Sequence, residues 1–482
     1  MKRTRIHVWR AVLVITAMVM AAHEAQATTY TWTQTGTGPY NWDDNANWGG
    51  AGFPNGAADV GRMTNTITVL QTNNLNQAIT LNSLYVKGGA HIGTYGYLIA
   101  SNNNSGSMNF SGTVPAITNV ETFVTIAAPI VLNSDLTLAV DSGGNSPSVV
   151  PLAIKGVISG SGGLIKTSTG NLYLYAANTY QGNTTLQSVS ANNSGFGITL
   201  MFSNSTLLTN VLPASTVLTI DATQAKPGQL SFNHLGSSGG TYYQTLAGLT
   251  GGGYVGMDGG GNATYYLTIN NTNNYTYSGT MSQANGFGLI KTNTGTFTLT
   301  GANTYGLGTT VNGGTLLVNN TVGSGTGSGA VTVNTGGSLG GTGTVSGAVT
   351  VNKGGTLTPG NPVGMLTLSN NVTLASNATL NVTLNGTNAT QYGRLFVAST
   401  NSTVGLTNCI LNVALGYTPK NGDVFTIINH AGTNAIGGQF TCGTKYTVVA
   451  TGDRFAVNYT GADGNDVVLT YMTVHGTAIY FR

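Results

Sequence analysis

Between Gly329 and Leu339 the chain reads "GAVTVNTGGSL", and between Gly347 and Leu357 it reads "GAVTVNKGGTL". In each segment two valines bracket a threonine. Side chains alternate across a strand, so the valines share one face and Thr332 or Thr350 takes the other. Asn-x-Gly-Gly then turns the chain into a second short strand that starts at Leu339 or Leu357. The echo returns after 18 residues, and "GGTL" ending at Leu316 precedes it by a similar interval. Units this short cannot bury their own apolar face and must stack on one another. Apolar residues alternating with Thr or Ser continue after residue 27, and no segment there carries a helical period.

A longer repeat encloses the short one. "GLIKTSTGNLYLYAANTYQGNTT" (Gly163 to Thr185) and "GLIKTNTGTFTLTGANTYGLGTT" (Gly288 to Thr310) agree at 14 of 23 positions at a shift of 125 residues. Stacked strand-turn units of about 20 residues predict an all-β chain wound as a parallel β-helix or β-solenoid. Inward Leu, Ile, Val and Phe would fill a narrow core, Thr would cover the outside, and Asn and Gly would take the corners. A set of β-sandwich domains is the runner-up, but it does not require an 18-residue echo.

Composition sharpens this picture. Glycine contributes 71 of 482 residues and charged residues only 6%, which suits stacked coils, where a charge repeated at one position would repel itself along the column. Four basic residues, an apolar run from Ala11 to Ala22 and the triplet Ala25, Gln26, Ala27 form a secretory signal peptide cleaved after Ala27. The apolar run is too short for a membrane span, so no transmembrane segment is expected after cleavage. Lys2, Arg3, Arg5, Arg10 and Glu24 lie within that leader. The remaining chain is balanced in charge, so nucleic acid is not expected as a partner.

The segments "GLIKTNTGTFTLTGANTYGLGTTVNGGTLLVNN" (Gly288 to Asn320), "GGSLGGTGTVSGAVTVNKGGTLTPGNPVGMLTL" (Gly336 to Leu368), "GDVFTIINHAGTNAIGGQF" and "YTGADGNDVVLTY" together resemble the passenger-associated transport repeat, also called the autotransporter-associated β-strand repeat. The resemblance covers roughly residues 156–471. It implies an exported bacterial surface or secreted protein with a right-handed β-helix, an N-terminal cap and a C-terminal β region. One departure is that "MTVHGTAIYFR" after Tyr471 is too short for the outer-membrane barrel of autotransporters. The expected organisation is a signal peptide at 1–27, a cap and first coils at 28–150, the β-helix at 151–390 and C-terminal coils at 391–482.

Candidate chemistry is sparse. Trp32, Trp42 and Trp48 cluster in "YTWTQTGTGPYNWDDNANWGG", and read as a cap over the first open coil or as a platform for sugar rings. Cys409 and Cys442 could form a disulfide in an exported protein or could be two small buried hydrophobes. "GSSGG" around Ser238 has the nucleophile-elbow spacing without a following helix, and reads as a turn. Glu121 is the only Glu outside the leader, and Asp43, Asp44, Asp135 and Asp141 are scattered, so no catalytic set is expected. "GADGNDVVL" partly matches a calcium nonapeptide but stands in a single copy where that site needs tandem ones, so it reads as a turn. His91, His234, His430 and His475 lack ligand spacing and read as surface or corner residues, so no metal or cofactor is expected. The sequence reads as a non-enzymatic structural or adhesive β-solenoid. Cell-surface or matrix polysaccharide and other surface proteins are the candidate partners, and an enzyme or lectin acting on polysaccharide is the alternative.

Overall fold

A computed structural model describes residues 27–88, 95–141, 151–187, 197–203, 209–224, 227–235, 239–257, 263–283, 286–443, 447–448 and 452–473. Residues 1–26 of the expected signal peptide, Ser238, His91 and His475 lie outside them. The chain winds into a parallel β-helix with three faces. The first face is a ladder of sixteen parallel strands. It begins at Thr29–Thr31, passes through Leu136–Asp141, Leu164–Thr167, Thr296–Leu299 and Gly337–Gly341, and ends in the C-terminal half of Val404–Leu415. It crosses the expected boundaries at residues 150 and 390 without a break.

The second face runs from Tyr40–Asn41 to Thr280–Met281 and resumes from Thr344–Val345 to Val424–His430. The third runs from Ala78–Leu81 to Ile158–Gly160 and resumes from Thr241–Leu246 to Gly437–Phe440. At the C-terminal end the stack changes character. Val424–His430 pairs antiparallel with Asp466–Met472, which pairs antiparallel with Arg454–Gly461.

The 18-residue echo is one coil. Val331, Thr332 and Val333 pair in register with Val349, Thr350 and Val351, and Leu339 pairs with Leu357. The six apolar residues of this pair of coils are buried, as the alternation requires. Thr332 and Thr350 are half-buried rather than open, because threonines at equivalent places in adjacent coils cover each other's flanks. A single turn of 3-10 helix, Asn45–Trp48, departs from the all-strand expectation; the Asp44 side chain caps it by accepting from the Ala46 N–H.

Candidate functional site

The two long repeats build the same corner twice. In the first, Leu164–Thr167 leads into a turn at Ser168, whose φ is 64°; in the second, Phe287–Thr292 leads into a turn at Asn293, whose φ is 62°. Such left-handed turns leave carbonyls pointing inward with no strand partner. A lysine from the preceding strand supplies the donors. Lys166 Nζ donates to Thr167 O at 2.6 Å and Ser168 O at 2.9 Å. Lys291 Nζ donates to Thr292 O at 2.7 Å, Asn293 O at 3.1 Å and Gly313 O at 3.2 Å. Both lysines are buried. Burial pulls Lys166 down from 10.5 to about 7 against the opposing pull of Asp141, and pulls Lys291 down to about 8.

The "ANTY" segment completes each corner. Asn178 Oδ1 accepts the Ile158 N–H of the coil before, and its Nδ2 donates to Val211 O of the coil after, both at 2.8 Å. Asn303 repeats this, accepting from Met281 N at 2.7 Å and donating to Gly325 O at 2.6 Å. One side chain thus replaces a rung of ladder where the chain leaves the sheet. Tyr180 and Tyr305 each share a 2.6 Å hydroxyl contact, with Thr184 and Thr309 respectively, inside the core.

The two copies occupy different faces. Leu164–Thr167 lies on the first face, between Leu136–Asp141 and Thr184–Leu186. Phe287–Thr292 lies on the third, between Thr264–Asn270 and Thr309–Val311. The repeat is therefore a corner unit independent of the face that carries it, and the 125-residue shift is not a whole number of coils.

The three tryptophans are brought together at the N-terminal end. Trp48 lies 4.9 Å from Trp32 and 4.6 Å from Trp42, centroid to centroid. Their indole N–H groups donate to Gln71 Oε1, Pro54 O and Trp42 O for Trp32, Trp42 and Trp48 respectively. All three are buried, so a sugar could stack on them only after the cap opened. Cys409 and Cys442 are free thiols, and the bond the sequence left open is not formed. Cys409 sits in the core opposite Phe440, where burial pushes its thiol up to about 12.

Two of the scattered acidic residues accept hydrogen bonds from neighbouring coils. Asp43 accepts from Asn76 Nδ2 and Asp135 from the Gly163 N–H. Glu121 takes a turn position with φ of 54°. His234 meets the Tyr265 hydroxyl at 2.8 Å. His430 is a correction to the sequence reading: it is 1% exposed, not a surface or corner residue. It lies where the parallel stack meets the antiparallel strands, with Nε2 3.2 Å from Ser402 Oγ, Nδ1 3.1 Å from Asn434 O, and its backbone N–H donating to Asp466 Oδ1 at 2.9 Å. Asp466, the last acidic residue of "GADGND", is thereby engaged in the core, where burial raises its carboxyl above the ordinary value. Nothing in the local pattern marked His430, because its strand reads as any other alternating segment. Among the described residues no group of three or more His, Cys, Asp or Glu could hold a metal ion.

The passenger-associated-transport-repeat family matches residues 164–188 and 289–318, the two corner units. No curated protein matches the chain. Among solved structures, the crystal structure of the Haemophilus influenzae Hap adhesin is similar over 92% of this chain and 59% of that one, less than two thirds of its length, at 10% identity and a TM-score of 0.25. A superposition that loose carries no functional argument. The chain is thus a parallel β-helix that carries two passenger-associated transport repeats, each of them a lysine-braced corner.

Proposed function

We propose that the protein is an exported, non-enzymatic β-helix that serves as a surface, matrix or adhesive structural element. The observation that carries this reading is the first-face ladder, unbroken from Thr29–Thr31 to Val404–Leu415 around a core filled by the chain's own side chains. Such a body is a spacer with long flat sides, along which many weak contacts add up. Export rests on the leader and on the kind of protein in which the repeat occurs. The test is attachment of the secreted chain to cells and to matrix-coated surfaces, beside a reducing-sugar release assay on the same polysaccharides. Attachment without turnover is expected. Saturable turnover of a glycan would replace this reading with the enzymatic one.

A further inference from the structure

The outer side of the first face carries a groove. The outward columns of this face run Thr296, Thr315, Ser338, Thr356 and, two residues along each strand, Thr298, Leu317, Gly340, Thr358. At Gly340 the second column has no side chain, and a Cβ there would come within 3.4 Å of Leu317 Cδ2 and 2.5 Å of Thr358 O. The neighbouring coil's backbone thus closes in on that position, and Gly340 forms part of the lining of the groove, whose volume is about 300 Å³. One wall is the loop at Gly360 to Pro362, held against the preceding coil by reciprocal backbone bonds between Gly341 and Gly360 at 2.8 and 3.0 Å. The exposed Pro362 ring and the half-buried Leu317 supply apolar surface, and the hydroxyl-bearing residues Thr296, Thr315, Ser338 and Thr358 line the rest.

We infer that this groove is a binding site for one to two residues of an uncharged polysaccharide. The inference rests on the adhesive reading for its biological sense and names the ligand class of that reading. A neutral pyranoside matches the lining on both counts: its C–H face suits Leu317 and Pro362, and its hydroxyls suit the threonine and serine side chains. No lining residue carries a charge, so an acidic or basic ligand would be desolvated there without a counter-charge. An extended peptide would need a free strand edge, and the strands of this part of the face are paired on both sides. The volume lies at the lower end of ligand pockets, which makes each site weak and lets length supply avidity.

The test is calorimetric titration of the secreted chain with neutral hexasaccharides of glucose, mannose, galactose and N-acetylglucosamine, and with oligogalacturonate. Saturable binding of a neutral oligomer is expected. It should weaken about tenfold in Thr315→Val/Thr358→Val, which removes hydroxyls and keeps shape, and should be unchanged in Thr332→Val on another face. Circular dichroism checks that the double variant is folded. The inference is overturned if no neutral oligomer binds, if oligogalacturonate binds more tightly, or if the folded double variant binds as well as the parent. Attachment that persists without oligosaccharide binding removes the groove and leaves the adhesive role standing; binding without attachment removes the adhesive role and leaves the groove.

Discussion

Asn352 donates its side-chain amide to Asn334 Oδ1 at 2.7 Å, and Asn334 donates in the same way to Asn312 Oδ1, also at 2.7 Å. The three residues occupy the same corner of successive coils. Each amide offers one donor and one acceptor along the axis, so the bonds chain together without charge. Asn334 takes part in both bonds and Asn352 in one. Denaturant unfolding should therefore show Asn334→Ala losing about 1 to 2 kcal/mol and Asn352→Ala about half as much. Equal losses would mean that the amides are bonded to water instead.

Val351 is fully buried, whereas its neighbour Thr350 faces outward. Val351→Asp places a carboxylate in a core with no counter-charge and should cost several kcal/mol. Thr350→Asp, one residue away, should stay within about 1 kcal/mol of the parent. Thermal melting of the two variants checks the register directly, since a one-residue slip would exchange their effects.

The buried lysines set a pH dependence. The folded chain releases the Lys166 and Lys291 protons near 7 and 8, while the ordinary value is 10.5. Between these values the unfolded chain binds more protons, so stability rises with pH across that window and their contribution is flat below it. The melting temperature should be higher at pH 9.5 than at pH 7. The rise should vanish in Lys166→Met/Lys291→Met, which also loses the donors to the corner carbonyls and so melts lower at both pH values. A parent protein that melts lower at pH 9.5 would contradict the assignment.

Trp32, Trp42 and Trp48 are the only tryptophans besides Trp9, which lies in the expected leader. The fluorescence of a chain that begins at Thr28 thus reports this N-terminal cluster alone. Acrylamide should quench it weakly in the native state. Trp42→Ala should cost about 3 to 5 kcal/mol and, by loosening the cover over the first coil, promote aggregation.

Sixteen strands at about 4.8 Å spacing make a stack about 75 Å long. Small-angle scattering should give a skewed pair-distance distribution with a maximum dimension near ~80 Å. A symmetric distribution of the kind a sphere gives would rule out the rod.

The alternation of valine and threonine around Thr332 and Thr350, with the 18-residue echo, determined by itself that these segments are strands, which side chains point inward, and that one echo is one coil. Those properties are local, because side-chain direction alternates along a strand and a short unit has only its neighbours to pack against. The face on which each strand falls was decided only by the tertiary structure. It depends on the summed lengths of every intervening turn and loop, so two repeats that agree at 14 of 23 positions placed Lys166 on the first face and Lys291 on the third. The same holds for the burial of His430, set by the antiparallel strands that return from residues beyond 450, and for the groove at Gly340, which residues of several successive coils, from Thr296 to Pro362, line together. A glycine in a glycine-rich sequence carries no sign of which neighbours will stand above and below it.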